Sequence, residues 1–298
     1  MINEESFLGE SEIRGNRDII WHYTSRDVFV QFVEGQTGLY ATHYKSLSDP
    51  AEYQYGMKVI HKLLTIINNV IDEKINITND EIKKSSFERK KQYWNSFDFQ
   101  RNIELFNDVY IMSFCQNPDS GYHWIKFTPD GGYCIGFSRK IFENIFRANT
   151  VEDKYVDFNL YSMTNSSLGN ICIEDCIYDR DKIKQYIGTL LTNNDDYIWK
   201  SLQIVYSLAK RQEFEIEKET RIVRFGQALN HLVEVVGGKP RIPIPGCEKD
   251  KVLNLIKGVF VSPRGERNNN INLAKLLSEK HGSLWPVFSG KISCDDEQ

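Results

Sequence analysis

Residues 214–225 read FEIEKETRIVRF, and a charged side chain stands at every second position from 215 to 221. If this segment is a strand, side chains alternate between its two faces, so these charges share one face. They belong to Glu215, Glu217, Glu219 and Arg221. Because neighbouring carboxylates disfavour joint ionisation where water is scarce, such a face is either solvated or used for chemistry. Spacing alone favours the solvated interpretation, which is the commoner one for charged strands.

The composition is that of a globular protein. Of the 298 residues, 41% are hydrophobic and 12% are aromatic, which is enough for a large core. The formal net charge is −4 and no long basic run occurs, so the bulk electrostatics do not indicate nucleic-acid binding. None of the six cysteines has the C-x-x-C spacing of a zinc site, which predicts buried, reduced thiols.

Short apolar runs predict strands, and a 3.6-residue period predicts helices, through most of the chain. The expected strands are residues 19–25, 39–44, 109–115, 133–138, 171–178, 214–225, 232–236, 258–265 and 284–292. The expected helices are residues 26–34, 57–71, 76–108, 121–127, 139–148, 179–191, 197–210 and 271–280. Since these elements cannot be ordered as regular βαβ units, the predicted class is α+β with a mixed, mostly antiparallel sheet.

The domain organisation follows from where polar residues collect. Residues 1–17 form a polar, acidic lead-in, residues 18–292 a single domain with helical elaboration, and residues 293–298 a polar tail. A secretory signal would instead be basic and then apolar, and no run of about 18 apolar residues occurs. We therefore expect a cytoplasmic protein without a membrane partner.

Three groups of residues have side chains suited to chemistry. They are His22-Tyr23-Thr24 at the end of the first strand, the stretch 49–55 with Tyr53 and Tyr55, and the pair Glu217 and Glu219. Taken singly, a histidine is more often a hydrogen-bonded structural residue, and a tyrosine is more often part of a core or its rim. His43, His61 and His123 lack the spacing of metal ligands, so no metal site is expected.

Several short strings together resemble an uncharacterised bacterial family, a domain of unknown function. They are WHYTS, LSDPAEYQYG, MSFC, Trp124-x-x-Phe127 followed by GGYCIGFS, FEIEKETRIV and GVFVSPRG, spread over about residues 19–290. That family in turn distantly resembles the ADP-ribosyltransferase superfamily. Sites in the superfamily have a histidine on the first strand, a tyrosine after the second or third, and a glutamate on a later strand. The resemblance implies an ADP-ribosyltransferase-like sheet with inserted helices.

The resemblance assigns catalytic roles to three residues. Cleaving nicotinamide from NAD⁺ passes through an oxocarbenium-like ribose, which a nearby carboxylate stabilises. Glu219 would supply that carboxylate through the ribose 2′-hydroxyl. Glu217 would deprotonate an acceptor nucleophile, as the first glutamate of an E-x-E pair does in arginine-modifying members. His22 would hydrogen-bond the adenosine ribose and hold the dinucleotide bent.

The remaining implied roles concern binding of NAD⁺. Tyr23 and Thr24 would line the site beside His22. Tyr53 or Tyr55 would stack on the cationic nicotinamide ring, a contact that contributes about 1–2 kcal/mol when desolvated. Arg221 would pair with one of the carboxylates or with a phosphate.

The implied function is an NAD-dependent ADP-ribosyltransferase or, with water as acceptor, an NAD glycohydrolase. The same resemblance implies a toxin or effector in bacterial antiphage (abortive infection) defence, with an antitoxin or defence protein as partner. The acceptor is a protein, a nucleic acid or a small molecule, and no metal cofactor is implied. The alternative is a catalytically inactive nucleotide-binding sensor or interaction module on the same fold. It would be favoured if Arg221 ties up Glu219 outside a pocket.

Three departures from the family patterns limit this interpretation. Phe127 stands where the family has tyrosine, so the hydroxyl is missing, and Thr220 stands where an aromatic residue is usual. The long separation of His22 and Glu219 also requires the helices around 57–105 and 179–212 to be insertions. A nuclease would need a further carboxylate or lysine-rich cluster for metal, which the sequence does not suggest.

Overall fold

The fold was taken from a computed structural model of the chain. It describes residues 9–49, 52–59, 109–148, 170–183, 198–225, 227–249, 251–282 and 285–291, with positions 62, 72, 75–77, 79–81, 84, 85, 88 and 185. Most of the predicted helices 57–71 and 76–108, and much of 179–191, therefore lie outside the described residues. None of the described helices is long and apolar enough to cross a membrane.

The centre of the fold is one ten-stranded sheet, and its antiparallel majority confirms the predicted α+β class. Its strands are β1 (Ile19–Thr24), β2 (Tyr40–His43), β3 (Val109–Cys115), β4 (Tyr133–Ser138), β5 (Asn170–Asp175), β6 (Glu219–Phe225), β7 (Glu234–Val236), β8 (Lys239–Pro243), β9 (Ile256–Val261) and β10 (Val287–Ser289). The main path runs β10-β9-β4-β1-β3-β2-β8-β7, and β6 branches from β3 with β5 at its outer edge. The β9–β10 pair is parallel.

Helices cover both faces of this sheet. They are α1 (Glu10–Gly15), α2 (Arg26–Val33), α3 (Gly121–Phe127), α4 (Arg139–Ala148), α5 (Ile198–Leu208) and α6 (Arg267–Lys280), and residues 52–59 are also helical. Short 3-10 helices span Tyr44–Ser46, Gln212–Glu217, Gln227–Leu232 and Val252–Leu255. The Ser25 side chain caps α2 by accepting a hydrogen bond from the Val28 amide.

Apolar side chains on the two faces of the sheet form separate cores. Phe29 and Phe32 of α2 and Phe142 of α4 pack on one face, and full burial of each ring stabilises the fold by about 1.5–3 kcal/mol. On the other face, α5 packs against β5 and β6, and its Ile204 and Leu208 belong to the core on that side. This helix falls in the region expected to be an insertion, but it forms part of a core layer.

The strand β3 divides its pairing between three neighbours, and this opens the sheet. It pairs with β6 along its whole length. On its other side β2 pairs only at residues 110 and 111, and β1 pairs only at Cys115. Among the described strands, none pairs with residues 112–114 on that side, so β1 and β2 diverge over the middle of β3. The gap forms a cleft.

The segment 214–225 is not one continuous strand, and that prediction is wrong. Residues Gln212–Glu217 form a 3-10 helix, and the strand begins only at Glu219. Between them Lys218 adopts a left-handed conformation, with φ +40° and ψ +53°. The alternating charges therefore do not share one strand face, because Glu215 and Glu217 precede the turn.

Asp119 joins three distant parts of the chain. Its buried carboxylate accepts hydrogen bonds from Arg14 of α1 at 2.8 Å and from the Trp124 indole of α3 at 2.7 Å. The backbone N–H of Lys291 lies 2.9 Å from both carboxylate oxygens. Part of the expected polar lead-in is thus helical and anchored, and Ile13 of α1 is buried against Trp21 and Trp124.

Candidate functional site

The cleft between β1 and β2 has a volume of about 510 Å³, which is within the range of small-molecule sites. Its floor is residues 111–115 of β3, and its walls come from β1, β2, α3, β8 and the region around Lys210 and Glu219. Among the predicted site residues, His22, Tyr23, Thr24, Glu217, Glu219 and Arg221 all line it. Two parts of the chain nearly 200 residues apart therefore converge on one cleft.

His22 occupies the point where β1 leaves β3. Its Nδ1 lies 3.0 Å from the Ser113 carbonyl oxygen, and because a carbonyl only accepts, Nδ1 carries the hydrogen. Burial, aided by the positive charge of Arg241, lowers the pKa of His22 despite this hydrogen bond. The imidazole is therefore neutral at pH 7, and its Nε2 is left as a hydrogen-bond acceptor.

Tyr23 is part of the wall of the cleft, and its hydroxyl is held there by two hydrogen bonds. Its hydroxyl donates to the Asn117 carbonyl at 3.2 Å and accepts from the Ser120 amide at 3.1 Å. The ring stacks on His123, with centroids 5.2 Å apart and planes inclined by 14°. Burial raises the pKa of this hydroxyl. Tyr23 thus holds α3 in place, and Thr24 lies beside it, buried at the edge of the cleft.

Three carboxylates surround one buried lysine, and we call this group with its cations the carboxylate cluster. The Lys210 ammonium lies 3.0 Å from Glu52, 2.7 Å from Glu217 and 2.5 Å from Glu219. Two further cations complete the cluster. Arg221 binds Glu219 at 2.7 Å and Glu52 at 2.5 Å, and Lys126 binds Glu217 at 2.5 Å. Three formal negative charges therefore meet three positive ones.

The cluster fixes the ionisation of its members. Burial opposes the charge on Glu219, but Arg221 and Lys210 outweigh it and lower the pKa to about 2. Burial likewise opposes the charge on Glu217, yet hydrogen bonds from Lys126 and Lys210 lower its pKa. Burial also opposes the charge on Lys210, but Glu219 and Glu52 raise its pKa overall. All of these groups are charged at pH 7, so neither glutamate is a strong base there.

The backbone explains why Glu217 and Glu219 reach the same ammonium. Lys210 follows α5 directly, and its amide donates to the Ile177 carbonyl at 3.0 Å. The left-handed Lys218 turns the chain between the two glutamates, so both side chains face Lys210. The Glu219 amide donates to the Tyr178 hydroxyl at 2.8 Å, which fixes the first residue of β6.

Glu219 retains little free hydrogen-bonding capacity. Its Oε1 accepts from Arg221 Nε at 2.7 Å, and its Oε2 accepts from Lys210 at 2.5 Å and from Arg221 Nη2 at 3.0 Å. A carboxylate offers about four acceptor sites. One site on Oε1 is left for a ligand, although the side chain is only 6% exposed.

The assignment of Tyr53 and Tyr55 to the site is wrong. Tyr53 is 2% exposed and packs between Tyr44 and Tyr206, while Tyr55 packs against the same core. Neither lines the cleft. Successive residues of a helix point about 100° apart. In the helical stretch 52–59, therefore, Glu52 faces the cleft while Tyr53 faces the core.

Arg221 is also more constrained than predicted. Of the two alternatives for it, the structure favours the carboxylate partner over a phosphate. Besides Glu219 and Glu52, its Nη1 donates to the Ser207 carbonyl at 2.6 Å, and the side chain is 2% exposed. Protein atoms therefore accept from four of the five N–H donors of its guanidinium.

Several cleft residues give no signal in the sequence. Glu52, Lys126 and Lys210 carry charges that no local pattern marks, and the Lys126–Glu217 and Lys210–Glu52 ion pairs join residues that are distant in sequence. The Phe127 ring is 44% exposed. Phe127 and Phe214 both line the cleft. Among the described residues, no group of three or more His, Cys, Asp or Glu side chains has an arrangement that could hold a metal ion.

Residues 123–222 match the model of a family described as a protein of unknown function, DUF2971. The DUF2971 match begins at His123 in α3 and ends within β6, so it includes Lys210, Glu217, Glu219 and Arg221. It confirms the resemblance to an uncharacterised domain family. No curated protein and no solved structure matches the chain. The relationship to ADP-ribosyltransferases stays a prediction.

Proposed function

We propose that the protein is an NAD⁺-dependent ADP-ribosyl-transfer enzyme that cleaves the nicotinamide–ribose bond in the cleft. The observation that carries this proposal is the convergence of His22 from β1 and Glu219 from β6 on one cleft of about 510 Å³. Such a volume suits a nucleotide-sized ligand. Fold class alone would not support the proposal, since one fold hosts many functions.

Glu219 is suited to the electrostatic part of the reaction. With a pKa of about 2 it is always ionised near neutral pH. The acceptor site left on Oε1 suits the ribose 2′-hydroxyl, and the fixed charge opposes the positive charge that develops on the ribose ring. Lys210 and Arg221 hold the carboxylate in position, at the cost of weakening its field.

His22 is suited to binding rather than to proton transfer. Its imidazole is neutral, its Nδ1 is bound to the Ser113 carbonyl, and its Nε2 can accept from a ribose hydroxyl. The aromatic surface for a planar ring comes from Phe127 and Phe214 in place of Tyr53 and Tyr55. Stacking on these rings needs no hydroxyl, so the change from tyrosine to Phe127 is compatible with it.

The acceptor is constrained by Glu217. Because Lys126, Lys210 and Tyr122 all donate to its carboxylate, Glu217 is too weak a base to deprotonate an arginine guanidinium or an amide. Water or an already nucleophilic group suits this site better. In a bacterial defence setting, NAD⁺ depletion by such an enzyme would be toxic to the cell and would require an inhibitory partner.

A second candidate function is a nucleotide-binding sensor or interaction module without chemistry. The observation that favours it is the limited free capacity of Glu219. Lys210 and Arg221 occupy three of its roughly four acceptor sites. In that case the carboxylate cluster is structural and the cleft only binds.

NAD⁺ consumption and label transfer by the purified protein, with cell lysate as a source of acceptors, test the proposal. We expect Glu219→Gln to lower turnover about 10²- to 10³-fold, by analogy with the loss of one electrostatic transition-state contact. Glu215→Gln is the matched control, because Glu215 is exposed and does not line the cleft. Thermal melts establish that both variants are folded.

Binding measurements separate the two functions. NAD⁺ binding by both wild type and Glu219→Gln, with turnover only in the wild type, supports the enzyme. NAD⁺ binding without turnover in the wild type supports the sensor module. A folded wild-type protein that neither binds nor consumes NAD⁺ contradicts both.

A further inference from the structure

The strand β8 carries two basic residues on the cleft side of the sheet. Lys239 and Arg241 are two positions apart, so their side chains leave the same face of the strand, and both line the cleft. Arg241 lies opposite Thr42 of β2, which also lines the cleft. The positive charge of Arg241 is close enough to His22 to contribute to its lowered pKa.

These two residues differ from the other cleft cations in having no counter-charge. Lys126, Lys210 and Arg221 each form at least one ion pair with a carboxylate of the cluster. Across the described part of the chain, neither Lys239 nor Arg241 forms an ion pair. The β8 side of the cleft therefore carries about two units of positive charge that the protein does not neutralise.

The nearest carboxylate by strand register does not neutralise Arg241. Glu234 lies opposite Arg241 in the β7–β8 pair, but its carboxylate accepts from the Tyr40 hydroxyl at 3.2 Å. Arg241 Nε is buried and has no hydrogen-bond partner among the described residues. A buried donor without a partner is costly, so a ligand that supplies an acceptor gains affinity there.

We infer that Arg241, supported by Lys239, binds a phosphoryl group of the ligand, as in a nucleoside diphosphate. A guanidinium presents its donors in a planar fork that matches two phosphate oxygens. The inference rests on the proposed function, which it deepens by locating the diphosphate of the dinucleotide on β8. The phosphoryl groups then lie away from the negative charges of the carboxylate cluster.

Calorimetric titration with inorganic pyrophosphate, ADP and adenosine tests the inference directly. We expect the wild type to bind ADP and pyrophosphate and to bind adenosine much more weakly. Arg241→Gln should weaken ADP binding about 10- to 100-fold, the effect of losing a charged hydrogen bond. Lys239→Gln should weaken it less, because a lysine offers a single charge without the fork.

Arg17→Gln is the matched control, since Arg17 is exposed and does not line the cleft. Arg241→Lys keeps the charge and should bind ADP with intermediate affinity, which guards against a folding defect in the glutamine variant. Equal ADP affinity in wild type and in folded Arg241→Gln overturns the inference, as does a wild type that binds neither ADP nor pyrophosphate. ADP binding that depends on Arg241 without NAD⁺ turnover supports the phosphoryl site while contradicting the enzyme proposal.

Discussion

The cleft contains two groups of cations, and they differ in how their charge is balanced. In the carboxylate cluster, Lys210 contacts three carboxylates and Arg221 contacts two, and both side chains are 2% exposed. On β8, Arg241 and Lys239 line the same cleft without an ion pair to any described residue. The strands β3 and β2 separate the two regions.

The charges of the carboxylate cluster stabilise the fold, whereas the unpaired charges on β8 are available to bind a ligand. Burying an ion pair costs desolvation energy, which its Coulomb attraction and hydrogen bonds must offset. Removing one partner leaves the other charge buried and unpaired, and this strongly destabilises the fold. A cation whose buried donor is unpaired contributes no such attraction to the stability of the fold. It is tolerated where it is needed to bind a ligand. Equivalent substitutions in the two regions should therefore have opposite effects on stability.

The largest effect is expected for Lys210→Met. Removing this ammonium leaves Glu52, Glu217 and Glu219 close together without their shared partner, so the variant should lose about 3–5 kcal/mol in free energy of unfolding. Denaturant unfolding measures this, and Lys249→Met, at an exposed lysine, should change it by less than about 0.5 kcal/mol. A loss below about 1 kcal/mol for Lys210→Met would mean that the cluster does not hold the fold.

Lowering the pH should weaken the ion pairs of the carboxylate cluster. Since the pKa of Glu219 is lowered from 4.5 to about 2 on folding, its ionised form stabilises the fold above pH 4.5, and that stability is lost as pH falls towards 2. The contribution is on the order of 3 kcal/mol. The difference in unfolding free energy between wild type and Glu219→Gln should thus shrink between pH 6 and pH 2.5.

If the difference in unfolding free energy between wild type and Glu219→Gln stays constant over this pH range, the lowered pKa of Glu219 is contradicted. Other carboxylates titrate in both proteins, so their contributions largely cancel in the comparison. The same pair of proteins is used in the turnover measurement, so stability and activity can be compared at one position.

The smallest effect is expected for Arg241→Met. The substitution removes a buried unpaired donor and keeps much of the side-chain volume, so the free energy of unfolding should stay unchanged or rise by about 1 kcal/mol. Thermal or denaturant unfolding without ligand measures it. If the variant is instead destabilised by more than about 2 kcal/mol, the guanidinium has a structural role and the contrast with Lys210 fails.

Much of the fold could be predicted because its strands are apolar on at least one face. The runs 109–115 and 133–138 coincide with β3 and β4, and helix 139–148 coincides with α4. The error at 214–218 has a local cause. Alternating Phe214 and Ile216 indicate a strand, but Ile216 is 57% exposed in a 3-10 helix. The left-handed residue that ends this helix is a lysine, which gives no sequence signal.

The candidate site was only partly predictable. Residue type and a resemblance both indicate His22 and Glu219, whereas the Glu52–Lys210 ion pair joins residues 158 apart in sequence, which no local pattern reveals. The aromatic ring of Tyr53 suggests a stacking role, but helix geometry turns the side chain to the core. Arg241 lies in a proline-containing strand whose charge pattern alone does not distinguish a cleft residue from a solvated one.

The Asp119 carboxylate anchors the cleft from outside its lining. It lies 105 residues from Arg14 and 172 from Lys291, and it also holds Trp124 of α3, the helix that brings His123 and Lys126 to the cleft. One buried side chain thereby couples two remote surface segments to the position of a cleft wall. Substitutions or tags near residues 14 and 291 should consequently be treated as changes to the wall of the cleft.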